Sequence, residues 1–401
     1  MQKQTRQVTY GCLLHDIGKL LYRAGGDSGT HSRQGWAFLR SLWPEEKGIL
    51  RCVQLHHAAE LRAAAPAEDD LSWIACAADN LSAAADRREA EEGEAGTFRR
   101  YMPLASVFTH LNGEHPDHSI APYPQDGTLR MPERHAAALS VEPYQAAAEA
   151  LRRRLAELPR EDAWVDSLLC LLESYTSMFP SSTCAGESPD ISLYDHLKTT
   201  AAIGACISEY LLSSGERNCK KRLFLEETAF RKENAFLLYS ADISGIQKFL
   251  YTVASDKALR SLRSRSFFLE LLMEHYADEL LLACGVSRTN LLYSGGGHCY
   301  ILLPNTESVK AALSAWNQRF NAWLSEEFGV SLFLAHGWTE CSGNDLTNTP
   351  AEDAPYEAMF RRVSAAVSRH KMHRYSAGDL RRLNRPAPAS GRECKVCGRT
   401  D

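Results

Sequence analysis

No stretch of the 401 residues approaches the ~18–20 consecutive apolar residues that cross a bilayer, so no membrane span is expected. The N-terminus, Met1-Gln2-Lys3-Gln4-Thr5-Arg6-Gln7, leads into no long apolar segment with a small-residue cleavage site. No secretory signal is therefore expected, and the cytoplasm is the expected compartment. Closely spaced cysteines are scarce. Of twelve, only Cys394 and Cys397 lie near each other, which argues for reduced thiols over a disulfide framework. Positive charge is not in excess. The formal net charge is −5, so no global field favours nucleic acid, and such binding must use local patches. Two patches qualify, Arg260 to Arg265 and Arg369 to Arg392, and each reads equally as a solvated basic face.

What is present is ordinary for a globular protein: 44% apolar and 24% charged residues, in a chain long enough for two or three domains. Residues 1 to about 90 read as helices, with apolar positions recurring at helical spacing around Cys12-Leu13-Leu14, Ile17 and Leu20-Leu21. A polar stretch from Asp86 to Gly96 closes this unit. Residues 100–145 read as a connector with little regular structure, and 145–215 as helices interrupted by a loop from Pro180 to Pro189. From Ala235 the pattern changes. Phe236-Leu237-Leu238-Tyr239 reads as a buried strand and Gly245 to Cys284 as a long helix with a break. Leu291-Leu292-Tyr293 and Cys299 to Leu303 read as two strands, Val309 to Phe328 as a helix and Ser331 to Ala335 as a fourth strand. The order β-α-β-β-α-β is ferredoxin-like, an arrangement that serves many functions.

The strongest chemical signal is His15-Asp16 in Leu13-Leu14-His15-Asp16-Ile17-Gly18-Lys19. A neighbouring imidazole and carboxylate on a helix suit a divalent metal of intermediate softness, Mn, Fe, Co or Ni. Further ligand candidates are His31, His56, His57 and Asp79. Adjacent helical residues point about 100° apart, so one of His56 and His57 can serve packing or substrate instead. The order HD, H, HH, D matches the HD phosphohydrolase superfamily. One or two metals in such a site activate water and neutralise a phosphodiester. Lys19, one turn on, either reaches a phosphate oxygen or is a surface lysine. Gly18 permits close approach of a helix or a substrate. Gly25-Gly26-Asp27 imitates a cyclase motif, but it lies after a helix with no hairpin pattern and reads as a turn.

Two further motifs mark the ferredoxin-like unit. In Ser240-Ala241-Asp242-Ile243-Ser244-Gly245, a strand passes into a helix, where Asp242 either holds a metal and a triphosphate or caps the helix. Ser294-Gly295-Gly296-Gly297-His298 at a hairpin tip either brings backbone close to a ligand or makes a tight turn. Cys394 and Cys397 form half of a structural zinc site, which needs four ligands.

Together with Asp190-Ile191-Ser192-Leu193-Tyr194-Asp195-His196 and Arg263-Ser264-Arg265-Ser266-Phe267, these motifs run in one order over nearly the whole chain. The chain resembles the large, Csm-type subunit of type III-A CRISPR–Cas effector complexes, in its N-terminal part. The resemblance implies an α+β multidomain chain. It would hold an all-α HD domain over 1–95, a connector and helical region over 96–230, a first palm over 231–375 and the beginning of a zinc module over 376–401.

By the same resemblance, the HD domain cuts single-stranded DNA with a divalent metal, using His15, Asp16 and Lys19. The first palm binds ATP with Mg or Mn through Asp242, Ser244, Gly245, Ser294, Gly295 and Gly296, with Arg263 and Arg265 helping at phosphates or supporting the fold. Paired palms make cyclic oligoadenylate, but the catalytic Gly-Gly-Asp-Asp motif of the family's second palm is absent from this sequence, so this chain alone is expected to make none. Guide RNA, target RNA, single-stranded DNA and the other complex subunits are the implied partners. Asp195 and His196 are expected to cap or pack a helix. Two other readings compete: a stand-alone HD nucleotide phosphohydrolase with a regulatory cyclase-like domain, and a non-catalytic scaffold.

Overall fold

The computed structural model describes residues 1–26, 29–86, 100–108, 118–120, 133–134, 140–158, 164–184, 187–251 and 258–385. Cys394, Cys397 and most of the expected zinc segment lie outside them. Six helices open the chain: α1 (Lys3–Leu14), α2 (Ile17–Arg23), α3 (His31–Leu42), α4 (Lys47–Gln54), α5 (Ala58–Ala64) and α6 (Ser72–Asp86). The connector holds more order than its scattered Pro, Gly and His suggest. Strands β1 (Leu104–Ala105), β2 (His118–Ile120) and β3 (Glu133–Arg134) form a small antiparallel sheet there. Helices α7 (Glu142–Glu157), α8 (Val165–Thr176) and α9 (Leu193–Ser214) follow. Ser192 caps α9 by accepting from the Asp195 backbone N–H at 3.0 Å, and its hydroxyl donates back to the Asp195 carboxylate at 2.7 Å. Gly215, at φ +71°, ends that helix. A short π-helical turn and α10 (Glu227–Phe230) lead to the sheet.

The main sheet contains β4 (Phe236–Ser244), β5 (Leu291–Gly295), β6 (His298–Pro304) and β7 (Phe333–Cys341), in spatial order β5-β6-β4-β7 and wholly antiparallel. Between β4 and β5 run α11 (Ile246–Tyr251) and α12 (Ala258–Ala283), and between β6 and β7 runs α13 (Glu307–Phe328). This is the split β-α-β pattern read from the sequence. Helices α14 (Gly343–Leu346), α15 (Pro355–Met372) and α16 (Ala377–Leu383) complete the described chain.

Strand alternation explains how both sheet faces are covered. Leu237, Tyr239, Ala241 and Ile243 turn to one face and pack with Leu272, Tyr276 and Leu280 of α12 and Leu313 and Phe320 of α13. Phe236 and Leu238 turn to the other and share a core with Leu197, Ala201 and Cys206 of α9, Val8 and Cys12 of α1, and Met359 and Val363 of α15. The N-terminal helices and the sheet are thus joined by one apolar core, with α9 at its centre. On the α12/α13 side, the fully buried Tyr239 and Tyr276 hydroxyls both donate to Asn317 Oδ1, at 2.9 and 2.6 Å.

Candidate metal centre and nucleotide face

His15 and Asp16 sit at the junction where α1 ends and α2 begins, not within one helix: His15 is the C-cap of α1 and Asp16 the N-cap of α2. The break turns both side chains inward, and both are essentially inaccessible. Two close approaches assemble the other groups around them. A Cβ on Gly18 of α2 would lie 1.8 Å from the carbonyl oxygen of His31, so glycine lets the start of α3 rest on α2. A Cβ on Gly204 of α9 would lie 2.8 Å from Cys12 Sγ, so α9 lies tightly along α1.

Imidazole orientation is set from behind. His15 Nδ1 is 2.7 Å from the Cys12 carbonyl and His56 Nδ1 is 2.8 Å from that of Val53. A carbonyl accepts, so in each ring Nδ1 carries the proton, and Nε2 keeps its lone pair when the ring is neutral. His15 Nε2 lies 3.3 Å from Asp16 Oδ2 and 3.4 Å from Asp79 Oδ1. His31 Nε2 is 3.1 Å and His56 Nε2 3.6 Å from Asp16 Oδ1. His57 Nε2 meets His31 Nε2 at 2.8 Å, and its Nδ1 is 3.8 Å from Asp79 Oδ2.

The structure adds a residue that the sequence suggested would cap or pack a helix. His196, in the first turn of α9, puts Nε2 3.4 Å from Asp16 Oδ2 and 3.2 Å from Asp79 Oδ1. That assignment is corrected: His196 points into the same cavity as His15, while its neighbour Asp195 does serve the cap. The ligand atoms of His15, Asp16, Asp79 and His196 all lie within 4.8 Å of one another, and those of His31, His56 and His57 form a second, adjoining group.

Burial disfavours charge on His15, Asp16, Asp79 and His196, and their mutual pairing opposes it. For Asp16 the Lys19 ammonium and His15 outweigh burial, and for Asp79 the His15 and His196 imidazoles do, so both carboxyls are held well below the usual range. Burial would lower His15, but Asp16 and Asp79 overcome it and push its pKa up to about 9. His196 is raised in the same way, by Asp16, Asp79 and Asp86 against burial. His57 goes the other way, lowered to about 3 by burial and by the charge of His56.

His15 Nε2, Asp16 Oδ1, His56 Nε2 and His196 Nε2 are buried, and their approaches to neighbouring carboxylates and imidazoles at 3.1–3.6 Å are not aligned as hydrogen bonds. Orphaned polar atoms of this kind are rare unless something else satisfies them. Three of them, on His15, Asp16 and His196, belong with Asp79 to one group of ligand atoms, and these two imidazoles and two carboxylates make a donor set that fits a divalent transition ion. Lys19 Nζ is 2.5 Å from Asp16 Oδ2 at the rim, with its side chain 19% exposed.

The second group of expected residues gathers at one end of the main sheet. Asp242 is in register with His298, and His298 with Gly295. Gly296 and Gly297, at φ +61° and +83°, form the two-residue turn between β5 and β6. The Gly297 carbonyl accepts from the Ile243 N–H at 2.9 Å, joining the hairpin tip to the strand that carries Asp242 and Ser244. Gly245 follows at φ +97°. Lys371 of α15 pairs with Asp242 at 2.5 Å, Ser240 Oγ bonds His298 Nε2 at 2.7 Å, and Ser294 Oγ donates to Glu274 at 3.1 Å. Arg265 donates to the Phe249 carbonyl and lies 5.1 Å from that ring's centre, bracing α11 against α12. Arg263 is exposed on α12.

Residues 235–386, the main sheet with its helices, match the family model described as Csm1 subunit domain B. The chain is 39% identical to the "CRISPR system single-strand-specific deoxyribonuclease Cas10/Csm1 (subtype III-A)" of Mycobacterium tuberculosis, over 99% of this chain and 54% of that protein. The chain is thus similar to the Cas10/Csm1 (subtype III-A) proteins along nearly its whole length. It spans about half the length of the curated relatives it matches. Among solved Csm1 structures, the apo Csm1–Csm4 cassette superposes with a TM-score of 0.73 at 28% identity, over 95% of this chain and 50% of that one. The cassette in complex with one ATP superposes at 0.72 and 29%, over 92% and 48%. The Csm1 likeness thus takes in the N-terminal helices with the candidate centre as well as the sheet.

Proposed function

We propose that this chain is the HD-domain and first-palm portion of the large subunit of a type III-A CRISPR effector, and that its metal centre hydrolyses single-stranded DNA. The observation that carries the reading is the convergence of three orphaned, buried ligand atoms, on His15, Asp16 and His196, with the Asp79 carboxylate on one volume. The relatives' designation as single-strand-specific deoxyribonucleases supplies the substrate class. His15, Asp16, Asp79 and His196 would hold one ion, and His31, His56 and His57 line the adjoining position. A bound Mn, Ni, Co or Fe ion supplies an activated water and neutralises phosphodiester charge. The protein's part is positional. The Cys12 and Val53 carbonyls fix two imidazoles, and the helices exclude bulk water from all but the His31–His57 side. With a cation on the carboxylates, the Lys19 ammonium, at the rim beside Asp16, would be available to a phosphate oxygen.

The organisation into an HD domain (1–95), connector and helices (96–230), first palm (231–375) and zinc module (376–401) belongs to this proposal, as does structural zinc on Cys394 and Cys397. On the palm, Asp242, Ser244, Gly245 and the hairpin Ser294 to Gly296 form one side of an ATP pocket, loaded with Mg or Mn. Arg265 is engaged in the fold, which leaves Arg263 as the arginine for phosphates. The chain would contribute this ATP face to cyclic oligoadenylate synthesis, with the Gly-Gly-Asp-Asp palm elsewhere. Guide RNA, target RNA and the other complex subunits would be its partners, in the cytoplasm.

The test is cleavage of single-stranded DNA by the chain with Mn²⁺, beside a His15→Ala/Asp16→Ala variant. Cleavage that needs the ion and vanishes in the variant is expected. A folded, Mn²⁺-loaded chain that leaves single-stranded DNA intact would sink the reading.

A further inference from the structure

The imidazoles of the centre are oriented by different means. His15 and His56 each have a backbone carbonyl behind Nδ1. Behind His196 Nδ1 there is instead a side chain: Asp86 Oδ2 at 3.1 Å, with Ser82 Oγ at 3.3 Å. Ser82 Oγ also donates to Asp86 Oδ2, at 3.1 Å. Both residues belong to the last turns of α6, the helix that carries Asp79. One helix therefore supplies a carboxylate to the cavity and, two turns later, a carboxylate to the back of the opposing imidazole.

We infer that Asp86 is a positioning residue for the metal centre, holding the Nδ1–H tautomer of His196 so that Nε2 presents its lone pair to the ion. The inference rests on the metal-centre reading above. An ionised carboxylate only accepts, so the proton between the two groups must sit on Nδ1. Its negative charge also makes the imidazole a stronger donor to a cation, and loss of such a partner costs about 10–100-fold in metal affinity. His15 and His56 are insulated from side-chain change because their partners are main chain. Of the imidazoles of His15, His56 and His196, that of His196 is the one whose orientation a single substitution behind it can undo. Asparagine at position 86 is a sharp probe. Its amide can donate to Nδ1, which favours the Nε2–H tautomer and blocks the ligand atom without altering side-chain shape.

The experiment is titration of the full chain with Co²⁺ alone, read by visible absorption, which reports affinity and coordination without turnover. Asp86→Asn is expected to bind Co²⁺ about 10–100-fold more weakly than wild type, with altered bands, while the melting temperature of the metal-free protein stays near wild type. Asp86→Glu, which keeps an acceptor-only group, should recover most of the affinity. Wild-type Co²⁺ affinity and bands in Asp86→Asn would overturn the inference, provided His15→Ala/Asp16→Ala has lost binding. If that double variant binds Co²⁺ like wild type, the metal-centre reading itself falls and takes this inference with it. Should the Asn variant fold poorly, Asp86→Ser carries the same expectation and the same refutation.

Discussion

His196 ties the N-terminal helices to α9, and its contribution can be measured directly. Substituting a group that contacts the cavity should cost more than substituting one that only orients it. His196→Ala is expected to lower Mn²⁺ affinity by more than about 100-fold and, like His15→Ala, to abolish DNA cleavage. Cleavage near wild-type rates in His196→Ala would remove it from the site. The titration of the cluster gives a second prediction. His15 has a pKa near 9 in the metal-free fold, above its ordinary value near 6.5. Its pairing with Asp16 and Asp79 therefore stabilises the fold fully below about pH 6.5 and is lost as pH rises through about 9. Chelator-treated protein should lose a few kcal/mol of stability between pH 7 and 9.5, whereas metal-loaded protein, whose imidazoles are already neutral, should show a much shallower slope. Equal slopes in paired denaturant titrations would contradict the assignment. At this scale His15, Asp16, His31, His56, His57 and Asp79 were legible because they are close together in the chain and of ligand type. His196 was not, because its partners lie more than a hundred residues away and a helical histidine beside a cap has no local mark of function. The Asp190-to-His196 stretch was noticed, but only as a likeness.

Helix spacing decides whether those residues can meet. Gly18 admits the His31 carbonyl to 1.8 Å of where a Cβ would stand, and the atom in the way is backbone, which cannot rotate aside. Gly18→Ala should therefore push α3 from α2, cost on the order of 1–3 kcal/mol as overpacking does, and weaken metal binding by displacing His31. A variant with wild-type stability and affinity would show that α3 is free to shift. In the sheet, Asn317 satisfies two buried tyrosine hydroxyls at once. Asn317→Leu should cost about 1–3 kcal/mol by removing the acceptor both hydroxyls share and leaving them only each other, with Tyr276→Phe partly restoring stability in the double variant. Additive effects in that cycle would refute the shared network. Strand positions were readable from their apolar runs, but strand lengths were not. β4 continues from Tyr239 through Ser244 because Ser240, Asp242 and Ser244 lie on the face away from α12 and α13. β7 continues to Cys341 because it pairs with the start of β4, Phe236 against Cys341. Polar alternation at one end and edge position at the other both dilute the apolar signal. The small sheet of β1 to β3 has strands of two or three residues, too short for any period to register.

At the scale of the molecule, the candidate metal centre and the proposed nucleotide face share a core. Leu197, Ala201 and Cys206 of α9 lie between Val8 and Cys12 of α1 on one side and Phe236, Leu238 and Leu302 of the sheet on the other. The Cys206 thiol and the Asn290 amide both donate to the Leu302 carbonyl, at 3.6 and 2.8 Å, so the contact has polar specificity as well as area. Helices and sheet packed this way should not unfold separately, because exposing one side of α9 strips apolar cover from the other. We therefore expect one calorimetric transition for the described body, and a divalent ion bound at His15, Asp16, Asp79 and His196 should shift all of it. At a free ion concentration a hundredfold above Kd the linkage is worth about 2.7 kcal/mol. The expected record is a single peak moved upward by Mn²⁺, and tryptophan fluorescence and far-ultraviolet dichroism should move with it. Leu238→Ala, which lies on the sheet but belongs to the core shared with α9, should lower the same single peak and, at temperatures where unfolding begins, release metal and sheet structure together. Two peaks, with Mn²⁺ moving only one, would mean that α9 belongs energetically to the N-terminal helices alone and that the sheet folds beside them as an independent unit.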